Sequence, residues 1–362
     1  MKNRFAFTMR KATTAMRSYN TLGATRMIQA ALTRSSAIAL GRWSRQAAAS
    51  PATSPAPGPV PAQQQDRLAA TSITPNGASF VARSFRCKAG TRDYKLYVPS
   101  QQTAVPRGLI IMLHGCTQNP DDFAAGTRMN AVAERNGLIV AYPAQTRAHN
   151  ASGCWNWFQT GDQQRDKGEP AILAGLARNL MAEFGLARDQ VFIAGLSAGG
   201  AMAIIMAETY PDVFSAVGVH SGLPYQSANN VMSALTAMRG RLGSRNGASI
   251  DAGFEKPSMR TIVFHGSADK TVHPANAESI VGDAMVSHPN AEAMTEAGYV
   301  NSKRFTRTII TGSDGRPGLE NWTIEGAGHA WSGGSRDGTF ADPLGPDASV
   351  EMVRFFLAEV PA

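Results

Sequence analysis

Four short apolar runs in this chain show no polar alternation: Leu109-Ile110-Ile111-Met112-Leu113, Leu138-Ile139-Val140-Ala141, Val191-Phe192-Ile193-Ala194 and Thr261-Ile262-Val263-Phe264. A strand with one wet face alternates apolar and polar residues. A strand buried on both faces does not, and such strands belong to parallel sheets covered by helices on each side. Helix-like stretches at Asp121–Arg135, Glu169–Phe184 and Ala198–Glu208 separate the runs. The alternation predicts an α/β fold with a mostly parallel, doubly wound sheet. Before the first run, Ser79–Cys87 and Asp93–Val98 read as an antiparallel pair turning at Ala89-Gly90-Thr91. After the last, a helix is expected over about Asn229–Arg241, then a hairpin of Arg304–Ile310 with Glu320–Glu325. A closing helix over about Asp347–Glu359 carries Val350, Val353, Phe356 and Leu357 on one face.

The charge is unevenly spread. Nine of the 35 Lys and Arg residues fall within positions 1–65, where no acid occurs before Asp66, leaving 26 bases against 27 acids in the rest. The body is near neutral, so no nucleic-acid partner is expected for it, and the formal net charge of +8 belongs to the arm. Residues 1–50 read as a basic, partly helical arm, with Ala24, Met27, Ile28, Ala31 and Leu32 on one face. Its expected partner, through residues 1–45, is an anionic surface, a granule or another protein. The Pro-, Ala- and Gln-rich stretch 51–78 is an extended linker, and 79–362 is the expected catalytic domain. No run approaches the ~20 apolar residues that span a bilayer. Nor does the arm hold the ~7–15-residue apolar core of a secretory signal, which points to the cytoplasm. Three cysteines, Cys87, Cys116 and Cys154, are too few for a disulfide framework, and no spacing suggests a metal site.

The chemistry concentrates in Ile193-Ala194-Gly195-Leu196-Ser197-Ala198-Gly199-Gly200, a G-x-S-x-G motif between an apolar strand and a small-residue helix. A tight strand-to-helix turn holds such a serine strained with its hydroxyl projecting, and the glycines avoid collisions with neighbouring backbone. Read alone, the motif is equally a glycine-rich turn with an incidental serine; the strand–turn–helix setting favours Ser197 as nucleophile. Its base should follow the last strands, in the chain order Ser, acid, His. His329 fits, after the strand-like Trp322–Glu325 and the glycines of Gly326-Ala327-Gly328; His273 is the rival. Asp269 ends the turn after Thr261–Phe264 and is the expected acid, ahead of Asp283, Asp337 and Asp342, none of which directly follows a core strand. Oxyanion donors are expected from the backbone N–H groups of Ala198 and Cys116, with His114 supporting the latter's loop.

Several stretches carry a resemblance: Tyr94–Pro99, Leu113-His114-Gly115-Cys116-Thr117-Gln118, Cys154-Trp155-Asn156-Trp157-Phe158, Gly195–Gly200, Gly326–Gly333 and Ala341–Ser349. In order and spacing, over about residues 80–360, the chain resembles the polyhydroxybutyrate depolymerase-type esterases of the α/β-hydrolase superfamily. The resemblance implies the α/β-hydrolase fold and the triad Ser197, Asp269 and His329. It implies an ester substrate, short-chain or hydroxyalkanoate, cleaved through an acyl-enzyme without metal or cofactor. It also implies a Cys116–Cys154 bridge, which a reducing compartment would leave as thiols; Trp155, Trp157, Phe158 and Trp331 read as an apolar acyl wall, against the alternative that about half of them simply pack the core. Polymer-degrading members carry a signal peptide and a separate binding domain; neither is read here, so the family's extracellular setting stands against the cytoplasmic expectation. The alternatives are a feruloyl- or acetylxylan-type esterase, or a granule-binding protein with a secondary hydrolase activity.

Overall fold

The computed structural model describes residues 77–100, 106–241, 259–288 and 291–360. The arm with its helical stripe, and the linker as far as residue 76, lie outside the described residues. Among the described residues ten strands form one sheet: β1 (Ser79–Cys87), β2 (Gly90–Val98), β3 (Gly108–Leu113), β4 (Leu138–Pro143), β5 (Val191–Leu196), β6 (Ala216–His220), β7 (Arg260–Gly266), β8 (Ala293–Val300), β9 (Lys303–Thr311) and β10 (Pro317–Ile324). Their spatial order is β1-β2-β4-β3-β5-β6-β7-β10-β9-β8. The block from β4 to β10 is parallel throughout. Antiparallel strands β2, β1 and β9, β8 extend it at either side.

Strands β3 to β7 are buried along their whole length, which is why their sequences do not alternate. Successive side chains still point to opposite faces. Leu109, Ile111 and Leu113 enter one apolar cluster with helices α3 (Gly168–Phe184), α4 (Ala198–Thr209), α5 (Val231–Met238) and α6 (Ala275–Met285). Ile110 and Met112 enter the other, with α1 (Pro120–Thr127), α2 (Met129–Asn136) and α7 (Ala348–Phe356). The sheet is doubly wound, and the fold is that of an α/β-hydrolase.

Four local expectations need correction. Strand β6 was not expected: Ala216-Val217-Gly218-Val219-His220 is short and broken by a glycine. That glycine serves packing, since a Cβ there would lie 2.7 Å from Met352 Sδ on α7. Asp121–Arg135 is two helices, because Arg128 adopts φ 53° and ends α1 as it begins α2. The Arg128 guanidinium anchors the break, donating to Gly333 O at 3.1 Å and Asp347 Oδ2 at 2.8 Å. The first hairpin turns at Lys88-Ala89, because Cys87 already pairs with Gly90. In α7, Met352, Val353, Phe355 and Phe356 face inward, whereas Val350 is 38 % exposed. Asp347 caps that helix, accepting from the amides of Ser349 and Val350 at 3.1 Å each.

One ion cluster fastens β10. Glu320 is fully buried and accepts from Arg307 Nη2 at 2.8 Å, Arg354 Nη2 at 2.6 Å and Trp322 Nε1 at 3.1 Å. Removing one member of a buried pair strands the other charges. Glu320→Ala is expected to lose about 3 kcal/mol of stability, read from urea unfolding midpoints against wild type.

Candidate active site

Strand register brings the functional loops to one level. Leu113 lies opposite Gly195, Leu196 opposite His220, His220 opposite Phe264, and Gly266 opposite Ile324. The chain therefore leaves β3, β5, β6, β7 and β10 along one carboxyl edge, where open α/β sheets gather their sites.

Ser197 stands at the turn from β5 into α4 with φ 57° and ψ −119°, the strained geometry expected of the motif. The flanking glycines are required by close approach. A Cβ on Gly195 would fall 2.4 Å from the Gly199 carbonyl carbon, and one on Gly199 would fall 2.0 Å from Leu113 O. The second contact presses the start of α4 against the end of β3. A Cβ on Gly115 would lie 3.6 Å from Ser197 Cβ, so the loop after β3 runs beside the serine. The amides of Cys116 and Ala198 donate to no acceptor among the described residues, leaving two N–H groups free at the expected oxyanion position.

Asp269 and His329 are brought together by stitching between their loops. Ser267 N donates to Ile324 O at 2.9 Å and Ala268 N to Ala327 O at 3.0 Å, while Gly326 N donates to Ser267 Oγ at 2.9 Å. A Cβ on Gly266 would come within 2.3 Å of Ala327 O, so the approach depends on that glycine. His329 Nδ1 donates to Asp269 Oδ2 at 2.7 Å, which leaves Nε2 as the basic nitrogen. Asp269 Oδ1 accepts from the amides of Thr271 and Val272 at 2.8 and 2.9 Å. Burial pushes the Asp269 carboxyl up, but the facing His329 charge and hydrogen bonds from His265 and His329 outweigh it, holding it far below the usual carboxylate range. The rival His273 instead donates its backbone N–H to Met238 O at 2.8 Å, at the end of α5.

Sequence reasoning missed two of the three buried histidines that tie these loops. His114, expected as a support, donates from Nδ1 to Gly115 O at 2.8 Å and accepts at Nε2 from Gln145 N at 3.0 Å. His220 accepts at Nε2 from Ser332 N at 3.0 Å, fixing the segment after His329. His265 donates from Nε2 to Val272 O at 2.9 Å and lies 3.5 Å from Asp269 Oδ2. His220 ends β6 and His265 is the last residue but one of β7, a signal too common to single out. A further buried network, unread in the sequence, joins Arg92, Gln145 and Glu169 to the loop at Asn156, whose amide donates to Glu169 Oε2 at 2.8 Å. Burial pushes Glu169 up to about 7, against the pull of the Asn156 amide and the Arg92 charge.

Beside Ser197 opens a narrow apolar slot bounded by the Cys116–Cys154 disulfide, Trp157, Phe158, Leu223, Leu235, Met238 and Val272. Of the four aromatics expected to form an acyl wall, Trp157 and Phe158 line this slot. Trp155 and Trp331 do not. They are 0 % and 1 % exposed, and their indole N–H groups are committed to His114 O and Ser349 Oγ, both at 3.1 Å. They brace the loops from within the core. The contribution of α5 to the slot was not foreseen, although Ala234 and Leu235 lie one helical turn before Met238.

The profile of the family described as "Esterase PHB depolymerase" matches residues 92–297. Poly(3-hydroxyalkanoate) depolymerase C of Paucimonas lemoignei is 31 % identical over 252 residues, 68 % of this chain and 60 % of that protein. Probable acetylxylan esterase A of Aspergillus fumigatus is 28 % identical over 200 residues, 52 % of this chain and 53 % of that one. The chain thus spans between half and three-fifths of the length of these relatives. An acetyl xylan esterase structure from Aspergillus awamori superposes with a TM-score of 0.56 at 22 % identity, covering 70 % of this chain and 93 % of its own.

The buried histidines predict an acid weakness. Burial lowers His114 to about 4; burial, with the charges of His265 and His329, lowers His220 to about 3. Both are protonated more readily unfolded, near the ordinary value of 6.5, than folded. Their contribution is therefore complete above about pH 6.5 and is lost as pH falls toward their folded values. His114 alone should forfeit about 3 kcal/mol between pH 6.5 and 4. Guanidinium midpoints across that range should fall steeply for wild type and less steeply for His114→Asn.

By profile match over more than half its length, the chain belongs to the esterase PHB depolymerase family.

Proposed function

We propose that the chain is a serine carboxylic ester hydrolase acting through an acyl-enzyme on esters with short aliphatic or hydroxyalkanoate acyl groups. Ser197 Oγ attacks the ester carbonyl as His329 Nε2 takes its proton, and the tetrahedral oxyanion is held by the N–H groups of Cys116 and Ala198. The carbon–oxygen bond breaks while His329 returns the proton to the departing alcohol. Water then gives its proton to the same nitrogen and attacks the acyl-enzyme; the bond to Ser197 Oγ breaks as His329 returns that proton to the serine, and the acid is released. Asp269 keeps Nδ1 protonated and stabilises the imidazolium.

The observation that carries this reading is the 2.7 Å Asp269–His329 bond, on stitched loops at the sheet edge that also carries the strained Ser197. The small apolar slot favours short acyl groups. Similarity to an acetylxylan esterase favours acetyl esters as a second reading. Hydrolysis of p-nitrophenyl acetate and butyrate, hydroxybutyrate oligomers and acetylated xylan separates the two. Ser197→Ala is expected to lower kcat roughly 10⁴–10⁶-fold and Asp269→Asn about 10⁴-fold. Near-wild-type turnover of p-nitrophenyl butyrate by Ser197→Ala would end the proposal.

The basic arm is proposed to dock on an anionic surface such as a polyester granule, on the strength of its nine unopposed positive charges. Deleting residues 1–65 should abolish co-sedimentation with granules while esterase turnover survives; retained sedimentation would refute the docking role.

A further inference from the structure

Phe340 has φ 51°, in the left-handed region where a bulky aromatic residue is an outlier. Such a conformation persists only where its surroundings over-determine it, and it points toward function. Here the surroundings can be named. Phe340 O accepts from Trp331 N at 2.7 Å. The preceding Thr339 donates from N and Oγ1 to the two carboxylate oxygens of Asp122, at 2.8 and 2.6 Å, and its carbonyl accepts from Gln118 Nε2 at 3.0 Å. Gln118 Oε1 in turn accepts from Gly115 N at 2.9 Å. The loop bearing Phe340 is thus clamped to the loop that offers the free Cys116 amide. The outcome of this clamping is a half-buried ring set edge-on to the imidazole of His329, with centroids 6.4 Å apart and planes at 79°.

An ester has two sides, and the site offers two apolar surfaces. The slot beside Ser197 includes neither His329 nor Phe340. In the proposed chemistry His329 hands its proton to the alcohol oxygen, so the alcohol departs beside the imidazole. The aromatic surface that flanks the imidazole is the ring of Phe340. We propose that Phe340 determines alcohol-side specificity, its ring receiving the apolar part of the leaving alcohol while the slot receives the acyl group. The inference rests on the serine esterase reading and narrows it to esters whose alcohol is apolar beside the ester oxygen, a branched or aromatic alcohol rather than a sugar hydroxyl.

The test measures kcat/KM of the full chain for methyl, isopropyl and benzyl butyrate in a pH-stat, and separately for p-nitrophenyl esters from acetate to hexanoate. The wild type is expected to prefer benzyl over methyl butyrate. Phe340→Ala should shrink that preference about tenfold, chiefly through KM, with the order of preference along the acyl series unchanged. Phe340→Tyr should restore it. Phe340→Asn, which tolerates the left-handed backbone and removes the apolar ring, replaces Phe340→Ala if the latter fails to fold. An equal loss in kcat for every alcohol means the ring only props the imidazole and overturns the proposal, as does an unchanged preference. A wild type inactive on all these esters overturns the esterase reading and this inference with it.

Discussion

The site depends on the hydrogen-bond register of the five parallel strands β3, β5, β6, β7 and β10. Because Leu113 pairs with Gly195, Leu196 with His220, His220 with Phe264, and Gly266 with Ile324, five loops emerge at one height. A slip of one residue in any pair would turn its side chains to the opposite face of the sheet. Both faces are packed against helices, so such a slip would have to refit two close-packed layers at once. The same apolar density that builds the core therefore sets the positions of the Cys116 amide, Ser197, Asp269 and His329.

Strain is concentrated on this edge. Thr117, Ser197, Ser221 and Phe340 all have positive φ, each at a cost on the order of 1–3 kcal/mol. The opposing forces are local and identifiable. Glycines at 115, 195, 199 and 266 allow backbone to lie against backbone, and buried histidines join loop to loop through their ring nitrogens. The neutrality of His114 and His220 is part of the design. A proton on His114 or His220 would leave a nitrogen that now accepts an amide N–H facing that same donor.

Much of this was legible in the sequence because it follows from local rules. The unalternating runs marked the buried strands, and the glycines around Ser197 marked the elbow. The turn after Phe264 and the glycine-rich loop before His329 lay where the chain order required them. What escaped depends on partners distant in sequence. Gly218 reads as a strand breaker until Met352 is seen packed against it. Arg128 reads as helical until Gly333 and Asp347 draw its side chain away. Trp155 and Trp331 read equally as acyl wall or as core until their indole N–H groups are seen committed inside the core.

Strand β10 reaches its place beside β7 only after the β8–β9 segment has been made, and the segment following it is held by Arg128, Ser332 and Pro346. A chain growing on the ribosome would complete the serine elbow long before this strand emerges. Until then the exposed flank of β7 is an open edge, available to any extended neighbour. One strand made late thus both covers the flank of β7 and carries the loop that sets His329 against Asp269.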